Sequence, residues 1–263
     1  MEMMKTITAH SRLDDDTDAV NLRSTASAGR HHLEQPASAE AFPRDPTHVH
    51  GLSLTYLEGH RIVAWRADHR ITRAYDILRN QISQARKGSG SLMVAVTAPA
   101  CGCGTSVTAI NLAFSFARST TGGVFLMDGN GAAPAAGSLL GLAPLPNPSR
   151  DRQLGGHVRL DAQGVRLDLL RPACGQERKI QPHQLADDLH QVRQVLQPAV
   201  IVVDLAPMLG FDEAPPIVAA ADVVVLVVAA GQSTRAEVAV CQTYFQPHQT
   251  VQVVLNKAQR HGL

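Results

Sequence analysis

The chain has 263 residues, 44% of them hydrophobic, enough to bury one good-sized core. Lys and Arg number 24 against 23 Asp and Glu, so no global field draws the chain to nucleic acid or to an anionic membrane. No run approaches 18 uninterrupted apolar residues, the N-terminus lacks an apolar signal core, and Cys101, Cys103, Cys174 and Cys241 form no CxxC pair. A secreted, membrane-inserted or disulfide-stapled protein is therefore not expected, and a cytoplasmic one is.

Residues 1–50 are rich in Ser, Thr, Ala, Asp, Arg and His with almost no clustered apolar positions. Such a segment cannot offset the entropy of ordering, and a disordered arm is expected there, followed by one domain over 51–263. From about 69 to 86, Ile71, Tyr75, Leu78 and Ile82 recur at three- and four-residue spacing, which predicts an amphipathic helix ending at Lys87-Gly88-Ser89-Gly90. Apolar runs then alternate with helical patterns. SLMVAVTA (91–98) precedes a helix at about 106–118, and GGVFLMDG (122–129) precedes a small-residue turn. RLDLL (166–170) leads to a helix over 181–196, then AVIVVDLA (199–206), ADVVVLVV (221–228), a helix over 233–245 and VQVVLN (251–256). Continuous apolar strands alternating with helices describe an α/β fold, a doubly wound, mostly parallel sheet flanked by helices.

Ligands in such sheets sit outside the carboxyl ends of the strands. The first core strand runs into TAPACGCGTSVTAINLAFSF (97–116), a glycine-punctuated turn opening a helix, where backbone N–H groups can cradle phosphate. The phosphate-binding loop GxxxxGK followed by Ser or Thr places a lysine before the hydroxyl residue. Here Gly104 and Ser106 stand in place, and Thr105 lies between them. Two further strands end in Asp128 and Asp204, and the last in Asn256-Lys257. Carboxylates at the ends of buried strands are costly unless they are paired, solvated or close to a cation. In phosphate-loop proteins that cation is Mg²⁺, held by the loop hydroxyl and a strand-end Asp. A single strand-end Asp is more simply a turn cap; Ser106, Asp128, Asp204 and Asn256 together on one sheet edge favour a nucleotide site.

Five segments, in this order, resemble the bacterial tyrosine kinase (BY-kinase) domain of capsule and exopolysaccharide operons, a branch of the MinD/ParA-type phosphate-loop ATPases. They are RAYDILRNQI (73–82), TAPACGCGTSVTAINLA (97–113), VFLMDGNGAAP (124–134), VIVVDLAP (200–207) and VVLNKAQ (253–259), and they span roughly 60–260. The resemblance implies a phosphate-loop fold, ATP or ADP with Mg²⁺ as the ligand, Gly102, Cys103, Gly104, Thr105, Ser106, Val107 and Asn256 as nucleotide-binding positions, and Ser106, Asp128 and Asp204 as the metal positions. Asn256 reads equally well as a residue on the base and as a strand-end turn former. Cys101 and Cys103 read as small residues filling a tight turn, and no histidine pairs with Glu in a metal motif.

The departures from the family pattern bear on activity. Thr105 takes the lysine position and Cys103 the acidic one before it; Asn130 replaces the second Asp of the strand motif and Ala132 the arginine after it; Leu205 and Ala206 replace Thr-Pro. The chain has only Tyr56, Tyr75 and Tyr244, where family kinases commonly phosphorylate a C-terminal tyrosine cluster. A lost charge-assisted contact costs about 1.5–3 kcal/mol, roughly ten- to hundredfold in affinity, and more as charge develops in phosphoryl transfer. The family's interface motif on the 69–86 helix corresponds to Arg73, Asp76 and Arg79, whose first two signs are reversed. They are expected either to rework an oligomer or partner interface or to pair within the helix.

The expectation is a cytoplasmic, catalytically degenerate subunit held at the inner membrane through a protein partner, a polysaccharide co-polymerase, with a homo-oligomer as a second association. Two readings stand beside it. One is an active ATPase or tyrosine autokinase with a lysine supplied by Lys87, Lys179 or Lys257. The other is a MinD/ParA-like positioning ATPase, disfavoured because no amphipathic membrane helix follows Asn256.

Overall fold

A computed structural model describes residues 3–8, 49–86, 90–130, 135–143, 156–171, 182–212 and 214–258, the first of these as backbone. In chain order the elements are β1 (Met3–Thr8), β2 (Val49–Gly51), α1 (Leu54–Gly59), α2 (Thr72–Gln84), β3 (Leu92–Thr97), α3 (Thr105–Ala117), β4 (Val124–Gly129) and α4 (Ala136–Leu139). There follow β5 (His157–Ala162), β6 (Val165–Leu170), α5 (Pro182–Gln191) with a π-helical turn (Val192–Leu196), β7 (Val200–Leu205), α6 (Ala214–Ala220), β8 (Val223–Ala229), α7 (Arg235–Gln242) and β9 (Thr250–Ala258).

The strands form one sheet in the order β1-β9-β8-β3-β7-β4-β6-β5-β2. The central pairs β9–β8, β8–β3, β3–β7, β7–β4 and β4–β6 are all parallel. Their continuous apolar sequences reflect burial on both faces. Along β3, Val94 and Val96 enter a core with Leu78 and Ile82 of α2 and Ile110 and Phe114 of α3, while Met93 and Ala95 enter a second core with Leu185 of α5, Ile217 of α6 and Cys241 of α7. The sheet is doubly wound, as the alternation of strands and helices predicts. Helix α3 is nearly enclosed, and each fully buried side chain such as Leu112 or Phe114 contributes about 1.5–3 kcal/mol. That enclosure fixes the start of α3, and with it the preceding loop, against the sheet.

Two parts of the sheet escape the sequence reading. β6 covers the apolar run RLDLL, but it pairs with an unexpected strand, β5, as an antiparallel hairpin closed by Gln163 and Gly164, both at positive φ, the backbone a tight two-residue turn requires. In β5 Val158, Leu160 and Ala162 alternate with His157, Arg159 and Asp161, the period of two of a strand with one face towards the core. The expected arm over 1–50 also needs correction where residues are described. Met3–Thr8 runs antiparallel to β9, and Val49–Gly51 runs parallel to β5, each at an edge of the sheet. Short polar segments with too little apolar surface to nucleate a fold can still add to a strand edge, because the sheet supplies their backbone partners. Residues 9–48 lie outside the described residues.

Candidate functional site

The carboxyl edge of the central strands carries the site. Gly102 and Gly104 adopt φ of +80° and +91°, a left-handed backbone open to glycine at little cost. Gly104 also cannot be widened, since a Cβ there would lie 2.3 Å from Asn256 Nδ2. It is the N-cap of α3 and provides no side-chain oxygen, so the first-turn N–H groups of Thr105, Ser106 and Val107 are left for an external acceptor. The loop is tied to the ends of β8 and β9. Asn256 Nδ2 donates to the Cys103 carbonyl at 2.8 Å while its Oδ1 accepts from the Lys257 N–H, and Gln232 Nε2 donates to the Cys101 carbonyl at 3.1 Å. Cys103 is buried and its Sγ lies 3.5 Å from Ser233 Oγ; Cys101 is exposed. Asn256 therefore ties the loop through its Nδ2 and the end of its own strand through its Oδ1.

Asp128 and Asp204 are direct register partners on β4 and β7. Asp204 is fully buried, and neither of its oxygens has a hydrogen-bond partner; the Ser106 hydroxyl offers only weak relief nearby. Asp128 Oδ2 accepts from the Gly137 N–H at 3.0 Å, while Oδ1 has no partner. Burial pushes the Asp128 carboxyl up and the Asp204 carboxyl well above the usual range, and the neighbouring Asp128 raises Asp204 further. Asn130 donates from Nδ2 to Ser106 Oγ at 3.1 Å, so the residue in place of an acid orients the loop hydroxyl. Ser106, Asp128 and Asp204 are thus brought together: a hydroxyl and two carboxylates with three unpartnered oxygens. That hard-oxygen set suits Mg²⁺, which keeps several waters and takes phosphate oxygens for the rest of its shell. Among the described residues no cluster of three or more His, Cys, Asp or Glu offers another metal site.

The interface triad divides. Asp76 Oδ1 accepts from Ser115 Oγ at 2.6 Å, from Arg79 Nη1 at 3.0 Å and from Arg118 Nη2, and Arg79 Nη1 also donates to the Ser115 carbonyl at 3.0 Å. Two of the three residues therefore join α2 to α3 within the chain. Arg73 is exposed. Ala132, Lys87 and Lys179 fall outside the described residues, whereas Lys257 is placed at the rim of the loop, its Nζ 3.4 Å from Gln232 Oε1.

Two residues of the site escape the sequence reading. Asn111, at the centre of α3, accepts from the Val63 and Ala64 N–H groups and donates to the Arg61 and Val107 carbonyls, which pins the 61–64 segment to the helix. Arg171 comes directly after the last residue of β6, and its Nε is buried without a hydrogen-bond partner. Its sequence signal is a charged residue at the carboxyl end of the apolar run RLDLL, the same kind of position that marks Asp128 and Asp204.

No protein-family model matches the chain, and no curated protein does. Solved structures do. The chimerical protein CapA2B2 is similar over 80% of this chain and 94% of its own, at 18% identity and a TM-score of 0.57. The kinase domain of the Escherichia coli tyrosine kinase ETK is similar over 79% and 98%, at 18% identity and 0.54. The VpsO kinase domain is similar over 78% and 97%, at 19% identity and 0.53. With a loop, a hydroxyl and two strand-end carboxylates on the carboxyl edge of that sheet, the chain has the fold of the bacterial tyrosine kinase domains.

Proposed function

We propose that this chain is a BY-kinase-like subunit that binds Mg²⁺-nucleotide and does not turn it over, and that it works by docking on the cytosolic face of an inner-membrane polysaccharide co-polymerase. The observation that carries the reading is the pair Asp128 and Asp204, in register beside Ser106 with three oxygens unpartnered, while Thr105 stands where the loop lysine belongs. The metal-binding half of a phosphoryl-transfer site is retained, and the half that stabilises the transferring phosphoryl group is not. Mg²⁺, held by Ser106, Asp128 and Asp204, would supply the positive charge that screens the phosphates. The chain's own part is to orient the loop hydroxyl through Asn130, to offer N–H groups from the start of α3, and to hold the loop through Asn256 and Gln232.

The co-polymerase partner, the place in exopolysaccharide assembly and the cytoplasmic location come from the likeness to kinase domains of that pathway. No helix among the described residues is long and apolar enough to cross a membrane. The active-enzyme reading has one observation in its favour, the position of Lys257 at the loop rim.

Calorimetric titration with Mg-ADP and Mg-ATP, combined with phosphate-release and phosphotyrosine assays, tests the proposal. Binding without measurable hydrolysis or tyrosine phosphorylation is expected. Robust turnover that Asp128→Asn abolishes would establish the active enzyme instead. Co-purification with the cytosolic segment of the co-polymerase tests the partner, and its absence at micromolar concentrations overturns that part.

A further inference from the structure

The parallel registers of β7, β4 and β6 place three charged residues in one row across the carboxyl edge. Asp204 is opposite Asp128, and because Met127 is opposite Leu170, the next step of the same register sets Arg171 beside Asp128. The row begins beside the phosphate-type loop, since Val96 of β3 is opposite Asp204. Arg171 is built in tightly. A Cβ placed on Gly137 would lie 2.8 Å from Arg171 Cδ, so a side chain there would press on the arginine stem. The guanidinium donates from Nη1 to the Ala143 carbonyl at 2.8 Å and feels the Asp128 charge, but its Nε is buried and unpartnered, as is Asp128 Oδ1. A buried guanidinium N–H without an acceptor is costly, and so is a pair of buried carboxylates. A metal ion satisfies the carboxylates but cannot satisfy a donor. A bound anion can, and arginine is suited to phosphate because its N–H groups form a rigid fork.

We propose that Arg171 is the phosphate-binding cation of this site, taking the electrostatic role left vacant by Thr105. The ligand is the terminal phosphate of a nucleoside di- or triphosphate whose Mg²⁺ is held at Ser106, Asp128 and Asp204. Arg171 approaches from the β6 side of the carboxylates, whereas a loop lysine would approach from the start of α3. The charge count at the phosphates is restored, and its direction is changed, which supports binding without reproducing the alignment that transfer needs. The inference rests on the nucleotide-binding reading above.

The test is calorimetric titration of Mg-ADP and Mg-ATP into the full chain and into Arg171→Met, Arg171→Lys, and Arg171→Met combined with Thr105→Lys. Arg171→Met keeps the aliphatic stem against Gly137, so its fold is preserved, and circular dichroism verifies that. We expect Arg171→Met to weaken nucleotide binding by about ten- to hundredfold, Arg171→Lys to retain most of it, and the added lysine at 105 to restore it. Binding by Arg171→Met within twofold of the unmodified chain overturns the role of Arg171 and leaves the nucleotide site standing. No binding of either nucleotide by the unmodified chain overturns both.

Discussion

Asp128 and Asp204 sit side by side on adjacent parallel strands, both buried, with three of their four carboxylate oxygens lacking a hydrogen-bond partner. Two carboxylates cannot both ionise cheaply at such a place: burial holds both pKa values up, and the Asp128 charge raises Asp204 further. Because both carboxyls are held above their usual range, a divalent cation binding there competes with protons.

The first prediction concerns that pair. Asp204→Asn removes a carboxyl that the metal-free fold must either neutralise or bury as a charge, so in metal-free buffer at pH 8 it should raise stability by about 1–3 kcal/mol in chemical unfolding. The same variant should lose the Mg-ADP-dependent rise in thermal midpoint that the unmodified protein shows. Apparent Mg²⁺ affinity of the unmodified protein should increase with pH, because deprotonated carboxylates are the ligands. A variant that is less stable without metal, or equally stabilised by Mg-ADP, contradicts this account.

Asp188 supplies a pH dependence away from the site. It lies buried on α5 next to Asp187, and burial, then the neighbouring charge, pushes its carboxyl up to about 7. Its folded-state value is above the unfolded value, so the folded protein binds the extra proton, and stability present near pH 4 is lost as pH rises towards 7. Asp188→Asn should flatten the unfolding free energy over that window. At pH 8 it should leave the protein more stable by on the order of 1–3 kcal/mol. Urea unfolding at pH 5, 6, 7 and 8 measures both effects.

The Asp76 cluster predicts a fold defect where an interface defect was the other sequence expectation. Asp76→Ala removes the carboxylate shared by Arg79 and Arg118, whose side chains are each 15% exposed, and with it the bond from Ser115 Oγ, leaving α2 tied to Ser115 only through Arg79. A loss of about 1.5–3 kcal/mol is expected, seen as a lower urea midpoint with an unchanged slope. Sedimentation should show the same mass for Arg73→Ala and for the unmodified chain. A shift to smaller species would return Arg73 to an oligomer interface.

Gly104→Ala tests the preformed cradle. A Cβ at φ +91° is strained and would press on Asn256 Nδ2, which holds the Cys103 carbonyl. The variant should lose about 1–3 kcal/mol of stability and bind Mg-ADP at least tenfold more weakly. Asn256→Ala, which makes room for the methyl group, should recover part of the stability in the double variant.

How much of the fold and site was legible in the sequence differs with how local each feature is. Runs such as LMVAVT and VIVVDL are apolar throughout because strands covered on both faces must be, so the parallel α/β sheet and the positions of Ser106, Asp128 and Asp204 at its edge could be read from local pattern. The missing charge at Thr105 was equally plain, since the spacing of Gly104 and Ser106 fixes which residue should carry it. Register and partner choice are not local. Asp128 lies opposite Asp204 and next to Arg171 only because β7, β4 and β6 are neighbours in the sheet, while their residues are distant in the chain. Asp76 and Arg79 turn inward because α3 brings Ser115 and Arg118 to them. Met3–Thr8 becomes a strand because β9, about 250 residues away in sequence, presents it with an unpaired edge. Composition and periodicity decide which segments are buried and in what form; the tertiary structure alone decides which buried charges meet, because that depends on strand order, which long-range packing sets.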